Sequence, residues 1–390
     1  MALRLLELCD ERDSAAACRL AGRALADPNL RGWAAVLRGV PERKVAAREA
    51  VHASGVRLLE GDAGVLLVGT LTSLWHAGRE LGSLDSEWKT FGIELARRAA
   101  AAETPAPASA ALPGAPARTL VMGIVNVTPD SFSDGGRFLD PRAAIEQGLR
   151  LVEEGADLLD VGGEATNPFG AGPVSAAEEL ERVLPVVAGL AGRAPHGLSI
   201  DTRKVEVAAA ALDSGATFVN DVSGLRDEAL AKLVGWRKVP ACLMHMRGEP
   251  QDMQSRATYV DVAGEVLDEL GASLARAVSL GVNEAQTFLD PGIGFAKTAP
   301  QNVHLLGHLR ELAQLGRPLL VGASRKSFIG ALTGRRPSER LHGSIAAAVA
   351  CALAGVAVVR VHDVAAAREA LAVADALRGG GDGGSAWTPA

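Results

Sequence analysis

Ionisable and hydrogen-bonding side chains stand where successive apolar runs of this sequence end. These positions are Asn126, Glu164, Asp201, Asn220, His245, Asp290, Lys326, Arg360 and His362. One such residue is routinely structural, but a buried polar group without a partner costs roughly 1 to 3 kcal/mol, so the repetition is hard to explain by stability alone. The pattern predicts a site for a ligand that is itself rich in hydrogen-bond donors and acceptors.

The mixture of side chains indicates what this ligand looks like. The carboxylates of Asp201 and Asp290 and the amide of Asn220 can read adjacent N–H groups of a cyclic amidine or guanidine. Lys326 can approach the carbonyl or ring nitrogen on the other side of such a heterocycle. A flat bicycle such as a pterin fits this arrangement of charges.

A second group of polar residues follows the first and the last apolar runs. Asn126 ends the first run, and Arg360 and His362 end the last one. These runs become neighbours if the strands close into a barrel, and anions commonly bind near the last strands of such barrels. The group therefore predicts a cationic and polar cluster suited to phosphate oxygens.

The apolar runs are continuous rather than alternating, as expected of strands that are covered on both faces. They span residues 119–126, 157–163, 197–202, 217–222, 241–246, 287–292, 318–324 and 356–362, and amphipathic helical stretches follow them. Eight strand–helix units over roughly 260 residues predict an α/β fold, a (β/α)8 TIM barrel, with its site at the carboxyl ends of the strands. An open doubly wound sheet is the alternative, but neither a G-x-G-x-x-G after the first strand nor a P-loop motif occurs.

Composition divides the chain into four parts. They are a small N-terminal α+β domain (1–100), an Ala/Pro-rich linker (101–117), the barrel (118–378) and a Gly-rich disordered tail (379–390). In the first part, apolar periodicity predicts helices over 43–53 and 86–100, and a hairpin is expected to turn at Gly61-Asp62. This domain carries no catalytic motif, so its role stays open.

The 390 residues have the composition of a globular protein. Hydrophobic residues make up 48% and charged residues 22%, and the net charge of -6 offers no basic surface for nucleic acid. The longest uncharged apolar run, 345–359, is shorter than the roughly 18 residues of a membrane span. Cysteines without metal-binding spacing (Cys9, Cys18, Cys242 and Cys351) and the lack of an export signal predict a cytoplasmic protein with reduced thiols.

Long motifs at these strand ends carry a resemblance to a known family. VMGIVNVTPDSFSDGG resembles the first signature of the dihydropteroate synthases, and LLDVGGEATNPFG resembles the second. The resemblance continues in order through SIDTRK, FVNDVSG, LMHMRGEP, FLDPGIGFAKT, VGASRKSFIG and RVHDV, and covers residues 118 to about 378.

The resemblance implies roles for individual residues. The catalytic residues would be Asn126, Lys326, Arg360 and His362, the substrate-binding residues Thr166, Asn167, Asp201, Asn220, Asp290, Lys326, Ser327, Arg360, Phe132 and Phe169, and the metal ligand Asn126. In this family the pterin ring is held by the residues matching Asp201, Asn220, Asp290 and Lys326, and Arg325 is expected to point outward into a structural pair. His245 and Glu164 are expected either to contact substrate or to fix their own loops.

The family condenses 6-hydroxymethyl-7,8-dihydropterin diphosphate with p-aminobenzoate, which gives 7,8-dihydropteroate and diphosphate for folate biosynthesis. The resemblance implies a transferase with Mg2+ as cofactor, small-molecule substrates, no nucleic acid or membrane partner, a homodimer, and a target for sulfonamides. Two alternatives stay open: a methyltetrahydrofolate-dependent corrinoid methyltransferase on the same barrel, and a non-catalytic pterin-binding paralogue.

The second signature departs from the family pattern. The usual Gly-Gly-Glu-Ser-Thr-Arg-Pro-Gly is changed at Ala165 and Asn167, and an extra residue is present around Phe169. Asn167 removes a cation that the family uses near the diphosphate and p-aminobenzoate. Retained activity is expected, either because the remaining groups suffice or because Arg137 compensates.

Overall fold

The computed structural model describes residues 2–8, 16–18, 20, 32–38, 45–61, 64–84, 88–128, 140–165 and 174–379. The chain divides into two compact units. The first comprises Met1–Pro105 with Arg310–Gly316, and the second comprises Ala106–Leu309 with Arg317–Ala390.

The first unit contains a four-stranded antiparallel sheet in the order β1-β2-β4-β3. Its strands are β1 (Ala2–Leu8), β2 (Gly32–Arg38), β3 (Arg57–Gly61) and β4 (Gly64–Gly69), and the described helices are Val45–Ala53, Leu71–Ser83 and Trp88–Glu103. Gly61 and Gly64 are paired across β3 and β4, which confirms the predicted hairpin.

Both faces of this sheet are buried. On one face Leu5 and Leu67 pack into a core with helix residues such as Leu74. On the other face Leu6 belongs to a second buried cluster, which includes Cys18. Because adjacent strand residues point to opposite faces, burial on both sides accounts for the continuous apolar sequences of these strands.

The outer edge of β1 is closed by side chains from the segment Arg310–Gly316. The Gln314 side chain accepts a hydrogen bond from the Leu5 amide (3.2 Å) and donates one to the Leu5 carbonyl (3.1 Å). Glu311 accepts a further bond from the Glu7 amide at 2.7 Å. These side chains occupy the positions of a neighbouring strand and satisfy an edge that could otherwise pair with another chain.

The second unit is a barrel of eight parallel strands within the described residues, in the order β10-β9-β8-β7-β6-β5-β12-β11. They are β5 (Leu120–Asn126), β6 (Leu158–Gly162), β7 (Leu198–Asp201), β8 (Phe218–Asp221), β9 (Ala241–Met244), β10 (Thr287–Asp290), β11 (Leu320–Val321) and β12 (Val358–Val361). A bridge between Leu289 and Leu319 joins β10 to β11 and closes the sheet. The predicted (β/α)8 barrel is confirmed.

Helices cover the outside of this barrel. They are Pro141–Glu153, Ala176–Leu190, Val205–Asp213, Glu228–Arg237, Val262–Ser279, Ala299–Gly307, Ser327–Thr333, Leu341–Leu353 and Val364–Gly379. A further short helix, Leu309–Ala313, belongs to the first unit from Arg310 onward. None of the described helices combines the length and the apolar character needed to cross a bilayer.

The segment predicted as a linker is more ordered than its composition suggested. Residues 101–103 extend the helix Trp88–Glu103. Ala108, Ala111 and Ala115 are buried in a cluster with the first residues of the barrel strands. Their small side chains fit among the larger apolar groups at the amino ends of the strands, and this packing orders a Pro-rich stretch that has no apolar periodicity. The tail residues 380–390 lie outside the described residues.

Candidate active site

A polar layer lies directly above an apolar layer inside the barrel. The apolar and polar members on the same strand are Leu158 and Asp160, Phe218 and Asn220, Phe288 and Asp290, and Val358 and Arg360. Residues two apart on a strand point to the same side, so the four polar side chains face the interior, as their buried apolar neighbours do. The strands thus bring them together near their carboxyl ends, where barrel enzymes bind substrates.

Arg360 is the centre of a hydrogen-bonded group that joins four strands. Its Nε donates to Asp160 Oδ2 at 2.6 Å, and its Nη2 donates to Asp201 Oδ2 at 2.9 Å. The Asn220 side-chain amide donates to the same Asp160 oxygen at 3.0 Å. Asp201, Asn220 and Arg360 were all predicted to be site residues, and the structure places them in one network.

Burial shifts the protonation of the site carboxyls. The pKa of Asp201 is raised to about 7, chiefly by burial and then by the neighbouring Asp160 charge, although Arg360 opposes the change. The pKa of Asp290 is raised to about 6, again mainly by burial, while the Gly292 amide that hydrogen-bonds it at 2.7 Å has the opposite effect. Both carboxyls can therefore exchange protons near neutral pH when a ligand binds.

Lys326 lies close enough to Arg360, Asp290 and Asp201 for their charges to act on it. Its Nζ is 4.2 Å from the centre of the Phe295 ring, and burial followed by the charge of Arg360 lowers its pKa to about 8. A Cβ on Gly294, whose φ is +85°, would lie 2.9 Å from the Lys326 Cδ. Glycine is required there both for the backbone conformation and for room beside the lysine.

Arg325 points away from Lys326 into a structural ion pair. Its Nε and Nη2 donate to the two Asp363 carboxylate oxygens at 3.0 and 2.6 Å, which confirms the predicted outward pairing. The reason is a turn rather than strand alternation: β11 ends at Val321, and Arg325 has a left-handed φ of 57°. Ser344 stabilises this turn by accepting a hydrogen bond from the Arg325 amide at 2.8 Å.

His362 and Asn126 occupy the ends of neighbouring strands, since β12 pairs with β5. The His362 Nδ1 lies 3.0 Å from the Ser324 hydroxyl. Burial first, and then the charges of Arg325 and Arg360, lower the pKa of His362 to about 3, so the ring is neutral at pH 7. His362 therefore contributes a hydrogen-bonding group, and no positive charge, to the cluster that was predicted to be cationic.

His245 fixes a loop rather than standing free for a ligand. Its Nε2 is 3.0 Å from Glu269, and its Nδ1 is 3.0 Å from the Lys297 ammonium. Lys297 also donates to the carbonyls of Gly292 and Phe295, at 3.1 and 3.0 Å. These contacts shape the loop that places Phe295 against the site lysine, so between the two roles predicted for His245 the contacts favour loop fixing.

Glu164 is similarly engaged by neighbouring side chains. It pairs with Arg203 at 3.0 Å and with Lys204, which also contacts the fully buried Glu179. These ion pairs hold the ends of β6 and β7, and they favour the loop-orienting role predicted for Glu164.

Some of the predicted residues lie outside the described part of the chain. They are the site residues Phe132, Thr166, Asn167 and Phe169, and the compensating Arg137. Ser327, which was predicted to bind substrate, is exposed at the first position of the helix Ser327–Thr333.

Two residues that matter here were missed by the sequence analysis. Asp160 lies within an apolar run rather than at its end, and Lys297 lies seven residues beyond β10. Strand alternation could have found Asp160, because it is two residues before Gly162 and two after Leu158 on the inward side. Lys297 has no comparable local signal, since its partner His245 is 52 residues away in the chain.

Fold and site together define a class: a (β/α)8 barrel with a buried layer of hydrogen-bonding side chains near the carboxyl ends of its strands. Residues 122–362 match the model of the family described as pterin binding enzyme. The dihydropteroate synthase of Synechocystis sp. is 48% identical over 262 residues, which are 67% of this chain and 90% of that protein. The enzyme of Escherichia coli is 44% identical over 256 residues, or 66% of this chain and 90% of that protein.

Solved structures give the same result. The dihydropteroate synthase of Xanthomonas albilineans with 4-aminobenzoic acid has a TM-score of 0.63 and 48% identity, covering 67% of this chain and 94% of that one. The same organism's enzyme in complex with 7,8-dihydropteroate has a TM-score of 0.60 and 46% identity over the same shares. This chain belongs to the dihydropteroate synthase family of pterin-binding enzymes.

Proposed function

We propose that the chain condenses 6-hydroxymethyl-7,8-dihydropterin diphosphate with p-aminobenzoate to give 7,8-dihydropteroate and diphosphate. The single observation that carries this proposal is the inward convergence of Asp201, Asn220 and Arg360 in one hydrogen-bonded layer. It is the arrangement expected around a fused nitrogen heterocycle, and relatives with 44–48% identity are dihydropteroate synthases.

The pterin ring would be held from two sides. The carboxylates of Asp201 and Asp290 accept from ring and amino N–H groups, and the Lys326 ammonium donates to the carbonyl or ring nitrogen opposite. Arg360 supplies a planar guanidinium, whose orientation is set by two carboxylates. Binding in this manner fixes the carbon that bears the diphosphate in one position.

The reaction then needs positioning more than acid–base chemistry. The bond between the exocyclic carbon and the diphosphate oxygen breaks, and the adjacent electron-rich ring delocalises the developing positive charge. The aniline nitrogen of p-aminobenzoate forms the new C–N bond and loses a proton to solvent. Fixed donors, rather than a nucleophilic side chain, supply the rate enhancement in such a step.

We further propose Mg2+ as the cofactor, with Asn126 as its protein ligand. The Asn126 side chain ends β5 and is half-buried, and its amide oxygen is a hard donor of the kind that Mg2+ accepts. Mg2+ commonly takes only one or two ligands from a protein and the rest from phosphate and water, so this donor set fits. When bound, the ion would neutralise charge on the leaving diphosphate.

A homodimer is also proposed. Leu353, Val373 and Leu377 are 48%, 60% and 70% exposed on two helices that pack against each other. Arg378 donates to the Ala352 carbonyl at 2.8 Å and so joins the ends of these helices. Exposed apolar groups gathered in this manner are typical of an interface between protein chains.

A reducing, cytoplasmic location is proposed as well. The three described cysteines, Cys18, Cys242 and Cys351, are free and buried, which supports this location.

A direct assay tests the function and both alternatives. Purified protein with the pterin diphosphate, isotopically labelled p-aminobenzoate and Mg2+ should yield labelled dihydropteroate and release diphosphate. Turnover only with methyltetrahydrofolate and a corrinoid protein would replace the proposal with the methyltransferase. Tight pterin binding in calorimetry without either turnover would support the non-catalytic paralogue.

A further inference from the structure

Asp160 is a wholly buried carboxylate at the centre of the site, and the reaction proposed above gives it no contact with substrate. Its exposed fraction is 0%. Its Oδ2 accepts from Arg360 Nε at 2.6 Å and from Asn220 Nδ2 at 3.0 Å. Its Oδ1 is also buried and has no hydrogen-bond partner among the described residues. Burying a carboxylate this deeply costs free energy, which its hydrogen bonds and the neighbouring cation must offset.

The contact with Asn220 decides which way that amide faces. The Asn220 amide turns its NH2 group, and not its oxygen, toward Asp160, because its Nδ2 donates to the Asp160 Oδ2. One N–H is then used by Asp160. The second N–H and the carbonyl oxygen remain side by side as a donor and an acceptor in fixed order. Without Asp160 the amide could rotate by 180° and present these groups in reverse.

The contact with Arg360 fixes a second group of the same site. The Arg360 guanidinium is held through Nε by Asp160 and through Nη2 by Asp201, on two different strands. Two carboxylates on separate atoms set the plane of a guanidinium, whereas one would leave it free to rotate about the remaining bond. Asp160 thus orients a neutral amide and a cation at once.

We infer that Asp160 is a positioning residue that selects the edge of the heterocycle by locking the Asn220 amide and the Arg360 guanidinium. The locked amide matches an edge with an acceptor ring nitrogen beside a donor amino group, as in a pterin. It opposes the reversed order of a 2-oxo pteridine, where a ring N–H lies beside a carbonyl. This inference rests on the proposed function, because it deepens the choice of substrate at that site.

The test compares two ligands that differ at ring position 2 and in whether N1 carries a hydrogen, so that they present opposite donor and acceptor orders at this edge. Affinities for 6-hydroxymethylpterin and for 6-hydroxymethyllumazine, its 2-oxo analogue, are measured by calorimetry on the full chain. In the wild type the pterin should bind at least about 100-fold more tightly, and in Asp160→Ala this ratio should fall about tenfold or more. Asp160→Asn keeps an oxygen for Arg360 and Asn220 and should retain the ratio within about threefold.

A matched control separates this role from general stabilisation. Asp157 is a buried carboxylate at the other end of the same strand region, bound to Arg118 at 2.7 and 2.8 Å. Asp157→Asn should lower the unfolding temperature and leave the ligand ratio unchanged.

The outcomes distinguish this inference from the proposed function. If wild-type protein binds neither ligand, the proposed function fails. If it prefers the pterin but Asp160→Ala loses affinity for both ligands equally, the inference is wrong and Asp160 is merely structural. Should Asp160→Ala not fold, the isosteric exchange of Asp160→Asn with Asn220→Asp takes its place. In that double variant residue 220 presents only acceptor oxygens to the pocket. An unchanged ratio of pterin affinity to lumazine affinity would therefore overturn the inference, and a lower ratio would support it.

Discussion

Individual residues of the site are held in protonation states that a ligand can change. Burial raises the pKa of Asp201 to about 7 and that of Asp290 to about 6, and it lowers that of Lys326 to about 8. A ligand that donates N–H groups stabilises the ionised carboxylates, and one that accepts stabilises the charged lysine. Substrate binding and protonation are therefore linked at each of these side chains.

This linkage predicts a bell-shaped dependence of pterin affinity on pH. Below about pH 6 both acids are protonated and affinity falls; above about pH 8 Lys326 loses its proton and affinity falls again. Calorimetry at pH 6.5 in two buffers of different ionisation enthalpy should detect proton release on binding. Asp213→Asn, at an exposed carboxyl that is 65% accessible, should leave the profile unchanged. Net proton uptake at pH 6.5 would contradict the assignment of the acids.

The Arg325–Asp363 pair makes a second prediction at this scale. Asp363→Ala removes two hydrogen bonds to a half-buried guanidinium and should reduce the free energy of unfolding by about 1–3 kcal/mol. Because the left-handed turn also carries Lys326, kcat should fall while the KM for p-aminobenzoate changes little. Denaturant unfolding and steady-state kinetics measure both effects.

Glu339→Ala is the matched control for that variant. Glu339 pairs with Arg336, whose side chain is 81% exposed, and solvent screens such a pair, so its loss should change stability much less. Equal effects of the two substitutions would show that the turn does not depend on Asp363.

At the scale of elements, the edge of β1 depends on a side chain from far along the chain. Gln314→Ala leaves the Leu5 amide and carbonyl without partners and should lower the free energy of unfolding of the first unit by about 1–3 kcal/mol. Hydrogen exchange at the Leu5 and Glu7 amides, together with denaturant unfolding, measures the effect. Lys89→Ala, an exposed change on a helix of the same unit, should stay within about 0.5 kcal/mol. Unchanged protection at Leu5 would contradict this account.

The elements also show how far sequence reasoning reaches. Continuous apolar runs predicted each barrel strand, because a strand covered on both faces must be apolar throughout. The same rule did not identify Asp160 as a site residue. Its partners Asn220 and Arg360 come from other strands, so the apolar run itself carries no sign of them. Gln314 and Leu5 are 309 residues apart, and no local pattern records a contact of that kind.

At the scale of the whole molecule, the proposed dimer can be tested through its apolar surface. Replacing Leu353 and Leu377 with Glu places charges on side chains that are 48% and 70% exposed, and it should convert a dimer into a monomer in sedimentation velocity. Val260→Lys changes another fully exposed apolar residue and should leave the association state as it is. A dimer that persists in the double variant would place the interface elsewhere.

The most direct test of the central claim is a crystal structure of this protein with 7,8-dihydropteroate bound. We expect the pterin ring inside the barrel mouth, within hydrogen-bond distance of Asp290, Asn220 and Lys326, with the Arg360 guanidinium lying against it. A product molecule bound away from these strand ends, or a ring that contacts none of them, would contradict the claim that the polar layer of the barrel is the pterin site.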